Sequence, residues 1–146
     1  MCILARAYRV TQKPEYKQAV ERALKMTLHA QYANGGWPQE YPVQPRGYSH
    51  YITFNDDAMT HILKLVRSIG DNQSPDFAFV DDATRARCRE AFTRGIQLLL
   101  DSQIRVDGKP TVWCARLTKR RSSLPRPAHT NCPATAAARV ATSRCC

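Results

Sequence analysis

Three oxygen-bearing side chains, Asn55, Asp56 and Asp57, lie next to one another at the end of an aromatic-rich segment. A stretch with helical periodicity begins directly after them. Helix starts favour such residues, because unpaired backbone N–H groups and the helix dipole both attract negative charge. The residues alone therefore leave two interpretations open: they cap a helix, or they also do chemistry. The elements that position them must decide between the two.

The spacing of apolar residues predicts an all-α protein. Helices are expected over about residues 2–10, 14–32, 55–69 and 81–104, because apolar side chains recur there every three or four positions. Between the second and third helices, residues 33–54 follow no period and are rich in Pro, Gly and Tyr. A loop of that length in a compact domain is usually functional or disordered, and its aromatic content argues against disorder.

An internal repeat relates the second and fourth helices at a constant offset. The segment 19–24 matches 91–96, and the matched residues continue with Gln31 and Gln103, then Gly36 and Gly108. A tryptophan follows the turn in both copies, slightly out of register. Helical pairs repeated in this way stack into a superhelix or close into an α/α toroid.

Charge divides the chain into two parts. The net charge is +10. Residues 1–114 hold 15 basic and 12 acidic side chains, whereas 115–146 hold seven basic side chains and no acid. We expect the basic tail to be disordered. Its positive charges lack interleaved aromatics, which makes nucleic-acid binding the least favoured function.

The six cysteines form no C-x-x-C pair, so neither a zinc site nor a disulfide framework is indicated. Buried free thiols are expected for the three cysteines of the body, Cys2, Cys88 and Cys114. No apolar run is long enough to span a membrane, and the N-terminus does not have the pattern of a signal peptide.

Three segments, Asn34–Gln39, Ile52–Met59 and Val106–Ala115, resemble in order the pectate lyases of polysaccharide lyase family 10. The resemblance covers about residues 1–115. It implies an α/α toroid, here an incomplete one, and β-elimination on polygalacturonate. It also implies Ca²⁺, which takes oxygen ligands and can bridge protein and sugar carboxylates. Family members are secreted or periplasmic, and the same is expected of this chain. The oligomeric state is left open.

The resemblance assigns expected roles to particular residues. Asn55, Asp56 and Asp57 belong to the groove, with Asp56 the first choice as a calcium ligand. Asp57 would be a second ligand, or would instead cap the helix. The aromatic residues of the loop could line the sugar groove or only pack the loop; these are Trp37, Tyr41 and Tyr48.

The chain departs from the family after Ala115. Arg116, Leu117 and Thr118 stand where the family has Gln-His-Asp, and the catalytic arginine of the family lies further on, so no catalytic residue is assigned here. We therefore divide the chain into a fragment of the catalytic domain, 1–115, and a tail, 116–146, which we hypothesise to be a frameshifted translation. An inactive lyase fragment is expected. The alternative is a non-catalytic helical module that binds acidic polysaccharide.

Overall fold

The computed structural model describes residues 1–44, 47, 49–54, 57–113 and 116–117. Within these residues the α-helices are α1 (Cys2–Thr11), α2 (Pro14–His29), α3 (Ala58–Gly70) and α4 (Asp82–Asp101). The strands within them are β1 (Ile52–Thr53), β2 (Gln103–Val106), β3 (Lys109–Trp113) and β4 (Arg116–Leu117). The protein is mostly helical, as expected, but the all-α prediction missed these short strands.

Two helical pairs form the core, because α1 packs on α2 and α3 packs on α4. The apolar face of α2 is buried through Val20 and Leu24, and that of α3 through Val66 and Ile69. None of the helices in the described part of the chain is long and apolar enough to cross a membrane.

The two pairs are joined through a short 3-10 turn, Pro75–Phe77, between α3 and α4. The guanidinium of Arg9 on α1 donates to the Asp76 carboxylate at 2.6 Å. Beside it, the rings of Tyr8 and Phe79 meet edge to face, with centroids 4.9 Å apart. The turn between α3 and α4 is therefore held against α1 by both charge and packing.

Helix α4 begins at a side-chain cap and ends earlier than predicted. The Asp81 carboxylate accepts hydrogen bonds from the backbone N–H and the hydroxyl of Thr84, both at 2.8 Å. These bonds, the backbone one first, lower the pKa of Asp81. The helix ends at Asp101, so the predicted end at Ile104 is wrong. Ile104 lies in β2, which pairs with β3 as an antiparallel hairpin.

The cysteine prediction holds for one described thiol and fails for the other. Cys88 is fully buried within α4, and burial raises the pKa of its thiol to about 11. This thiol stays protonated and unreactive at neutral pH. Cys2 is exposed at the start of α1, contrary to expectation. Cys114 lies outside the described residues.

Candidate functional site

Strand β4 and the two segments that carry the expected site residues meet at one place in the fold. The loop after α2 bonds to the segment that leads into α3, because Gln39 N–H donates to Tyr51 O at 2.9 Å and Glu40 N–H donates to Ser49 O at 3.2 Å. Strand β1, which closely precedes Asp57, pairs with β4 in the antiparallel sense. The two residues of β4 fall in the predicted tail, yet they pair with the segment that precedes α3.

Gln31 holds the turn after α2 in place, a role that the sequence did not reveal. Its side-chain amide donates to Gly35 O at 2.9 Å and to Ala91 O of α4 at 2.8 Å. Its Oε1 accepts from the Arg94 guanidinium at 2.5 Å. One side chain therefore fixes the Gly-Gly-Trp turn against α4. The recurrence of glutamine in the internal repeat was the available signal.

Glycine at position 35 is required by close packing as well as by backbone conformation. Its φ is 91°, and a Cβ there would collide with the carbonyl oxygen of Arg94. Gly108 has a similar φ of 76°, but a Cβ there would meet nothing within 4 Å. The two glycines thus separate backbone strain, which both share, from steric conflict, which only Gly35 has.

Gly35→Ala is accordingly expected to destabilise the protein by roughly 2 kcal/mol more than Gly108→Ala. Both variants accept the strain of a positive φ, and only the first must also displace the backbone of α4. Urea unfolding followed by far-ultraviolet circular dichroism measures the difference. Equal losses in the two variants would contradict the packing argument.

Trp37 lies in the core, where it is 3% exposed. Its indole N–H donates to Thr27 O of α2 at 2.8 Å. A Cβ added at Gly95 would stand 3.1 Å from the indole ring, so α4 packs closely over it. Of the two roles considered for Trp37, this placement favours packing of the loop, since a covered ring offers no face to a sugar.

Asp57 immediately precedes α3, but its side chain makes no capping hydrogen bond. Its backbone lies in the left-handed region, with φ 57° and ψ 15°, an uncommon conformation for a residue other than glycine. Its side chain is exposed. The contrast with Asp81, which caps α4 through two bonds, shows that the carboxylate of Asp57 is not engaged as a helix cap. The carboxylate is therefore accessible to an external ligand.

The other expected site residues divide by where they lie. Tyr41 is 40% exposed and contacts His29 edge to face, with ring centroids 6.3 Å apart. One part of its ring thus remains accessible at the surface. The remaining predicted site residues lie outside the described part of the chain; they are Tyr48, Asn55 and Asp56.

The described residues fit a calcium ion only in part. Asp57 offers an exposed carboxylate, the hard oxygen ligand that Ca²⁺ prefers. Within the ranges that the structure describes, no group of three or more His, Cys, Asp or Glu residues is gathered closely enough to hold a metal. A calcium site here would therefore need further oxygen ligands, for which Asn55 and Asp56 are the adjacent candidates.

Comparison with known proteins defines the class to which this helical fold and its turn segments belong. The family model described as pectic acid lyase matches residues 1–132. The chain is therefore a member of the pectic acid lyase family. The match continues past Ala115, where the resemblance read from the sequence ended.

Two similar solved structures support the assignment. One is the family 10 polysaccharide lyase from Cellvibrio cellulosa, which is 32% identical to this chain with a TM-score of 0.76. The other is a mutant of that lyase in complex with trigalacturonic acid, with the same identity and TM-score. In both, the match covers 82% of this chain and 37% of the lyase chain. No curated protein sequence matches.

Proposed function

We propose that this chain forms one wall of a polygalacturonate-binding groove in a β-eliminating lyase, as part of an α/α toroid. Asn55, Asp56 and Asp57 would lie in the groove. The observation that carries the proposal is the uncapped, exposed carboxylate of Asp57, which lies shortly after strand β1 in the family-like segment Ile52–Met59. The solved lyase in complex with trigalacturonic acid supports the choice of substrate class.

The chemistry explains why carboxylates would line a groove for an acidic polymer. Protein and sugar carboxylates repel one another unless a cation lies between them. A Ca²⁺ ion held there would supply that charge and would make the C5 proton of a bound uronate more acidic. Asp57, with Asp56, would hold the cation, and Asn55 would contact the sugar. The exposed ring of Tyr41, with Tyr48, would pack against the sugar ring.

Proton abstraction is not assigned to any residue of this chain. In the family an arginine performs that step, and Arg116, Leu117 and Thr118 differ from the family's continuation at this point. We therefore expect calcium-dependent binding of polygalacturonate without turnover. The polymer is an extracellular substrate, and we propose a secreted or periplasmic location on that basis. The frameshift hypothesis for 116–146 stays a prediction, which the coding DNA in the neighbouring frame tests.

Asp57→Asn is expected to weaken calcium-dependent retention on polygalacturonate about tenfold, since one charged oxygen ligand is expected to contribute at least about 1.4 kcal/mol. The melting temperature should not fall, because Asp57 caps nothing. Affinity electrophoresis in polygalacturonate gels, with Ca²⁺ and with chelator, measures retention. Asp71→Asn, an exposed carboxylate at the other end of α3, is the matched control.

Two outcomes of this experiment would count against the proposal. If retention changes neither with chelator nor with Asp57→Asn, Asp57 does not contribute to the groove. Formation of unsaturated uronate, detected by its ultraviolet absorbance and abolished by chelator, would show that the chain is catalytic and that the expected lack of turnover is wrong. Retention without product also fits the alternative of a binding module, and calcium dependence is common to both.

A further inference from the structure

The two tryptophans of the internal repeat make the same hydrogen bond. The Trp37 indole N–H donates to Thr27 O at 2.8 Å, and the Trp113 indole N–H donates to Leu99 O at 2.7 Å. Thr27 and Leu99 occupy equivalent positions of the repeat, at the same offset as the segments 19–24 and 91–96. The two copies thus share one arrangement, in which a tryptophan that follows the helix bonds back to a carbonyl oxygen near the C-terminal end of that helix.

The first copy is covered by α4. The residues of α4 that reach it form what we name the α4 face: Ala91, Arg94, Gly95 and Leu98. Ala91 O and the Arg94 guanidinium bond to Gln31, Gly95 lies by the Trp37 ring, and Leu98 approaches Gly36 closely. Ala91 and Leu98 are only 1% and 2% exposed.

Among the described residues, the equivalent end of the second copy is the more exposed one. We name it the receiving surface, and its residues are Leu100, Gln103, Gly108 and Trp113. Trp113 is 46% exposed, whereas Trp37 is 3% exposed, and Leu100 is 57% exposed, whereas its equivalent Leu28 is buried. A Cβ added at Gly108 would meet nothing, in contrast to the crowding at Gly36. Two large apolar side chains whose equivalents are buried in the first copy are therefore exposed in the second.

The chain itself carries a helix that matches this surface. In the alignment of the two copies, the α4 face corresponds to Ala19, Arg22, Ala23 and Met26 on α2, which we name the α2 face. It keeps the small residues and the arginine at the same spacing. Ala19 and Ala23 are only half buried, and Met26 is 48% exposed where its equivalent Leu98 is buried. In the part of the chain that the structure describes, the α2 face is thus only partly covered.

We propose that the α2 face of one copy of this chain docks on the receiving surface of a second copy, repeating between chains the interface that α4 makes within one. Arg22 would donate to the side chain of Gln103, as Arg94 does to Gln31. Ala23 would lie on Trp113, and Met26 would lie by Gly108. Because the two surfaces differ, the contact is heterologous, and each docked copy leaves a further surface open.

The expected behaviour is self-association that grows with concentration, measured by sedimentation velocity of the full chain. Met26→Glu removes one surface and Leu100→Glu removes the other, and each should weaken self-association at least tenfold. Met26→Leu and Leu100→Met keep an apolar side chain and are the matched controls, which should associate as the parent does. Far-ultraviolet circular dichroism verifies that all four variants keep their helices.

Mixing the two glutamate variants gives the decisive result. Met26→Glu retains an intact receiving surface and Leu100→Glu an intact α2 face, so the mixture should form a one-to-one dimer that grows no further. A parent chain that stays monomeric at all concentrations would overturn the proposal. So would a dimer that survives Met26→Glu but not Leu100→Glu, since that pattern indicates two receiving surfaces facing each other.

Discussion

Arg85→Met is expected to lower the free energy of unfolding by about 3 kcal/mol. Arg85 is 7% exposed on α4, and its guanidinium donates to backbone carbonyl oxygens. The acceptors are Val80 O and Ile69 O at 3.0 Å, Phe77 O at 2.9 Å and Ala78 O at 3.3 Å. Methionine keeps the apolar stem of the side chain but leaves these acceptors without their donor.

The magnitude follows from what each acceptor retains. Ile69 O also accepts from Asn72 N–H, and Phe77 O also accepts from Val80 N–H, so these two carbonyls keep one bond each. Ala78 is exposed, so its carbonyl oxygen can accept a hydrogen bond from water instead. The full cost of an unpaired buried carbonyl, about 1–3 kcal/mol, therefore falls mainly on Val80 O. Loss of the charge-assisted bonds at the other acceptors makes up the remainder.

Arg87→Met is the matched control, because Arg87 is an exposed arginine just further along α4. It is expected to change stability by less than about 0.5 kcal/mol. Urea unfolding with a common m-value compares the two variants. A similar loss in both, or no loss in Arg85→Met, would mean that the carbonyl cluster is satisfied without the guanidinium.

Arg85 also shows that apolar periodicity can fail to predict the role of a side chain at a core position. It lies almost one helical turn before Cys88 and therefore on the buried stripe of α4. Apolar spacing predicts which positions face inward, but it does not predict a cation at one of them. The missing information is tertiary: the end of α3 and the following turn present several carbonyl oxygens to one point.

Local sequence predicted the helices well and their ends less well. The apolar spacing predicts that α2 extends to residue 32, but the helix ends at His29, and the side-chain amide of Gln31 donates to Gly35 O and Ala91 O. The hairpin β2–β3 was missed although Asp107-Gly108 is a strong turn signal. Both residues have positive φ, 51° and 76°, as a two-residue hairpin turn of that kind requires.

For the candidate site, sequence could narrow the choice but not complete it. Asp57 and Asp81 both stand at helix starts, and nothing local distinguishes them. The structure does, because Asp81 bonds to Thr84 while Asp57 makes no cap. The sequence likewise does not decide whether Trp37 lines the groove or packs in the core. Its burial depends on α4, which follows only after the whole of α3, and no local pattern carries that contact.

Trp37→Ala is expected to destabilise the protein by about 4 kcal/mol, because it removes a fully buried indole and leaves a cavity beneath α4. Trp113→Ala removes the same ring and the same type of hydrogen bond. It should cost only about 2 kcal/mol, since nearly half of the Trp113 surface is already in water. The comparison separates burial from hydrogen bonding within one molecule.

Trp37→Phe completes the series by keeping most of the ring and deleting the N–H donor to Thr27 O. This variant should lower the free energy of unfolding by about 1–2 kcal/mol, which is the part due to the hydrogen bond and the smaller ring. Urea unfolding in dilute solution measures the three variants. Equal losses for the two alanine variants would contradict the difference in burial.

Repeating the comparison at high protein concentration links it to the proposed self-association, because docking of a second copy would bury Trp113. The difference between Trp37→Ala and Trp113→Ala should then narrow as concentration rises.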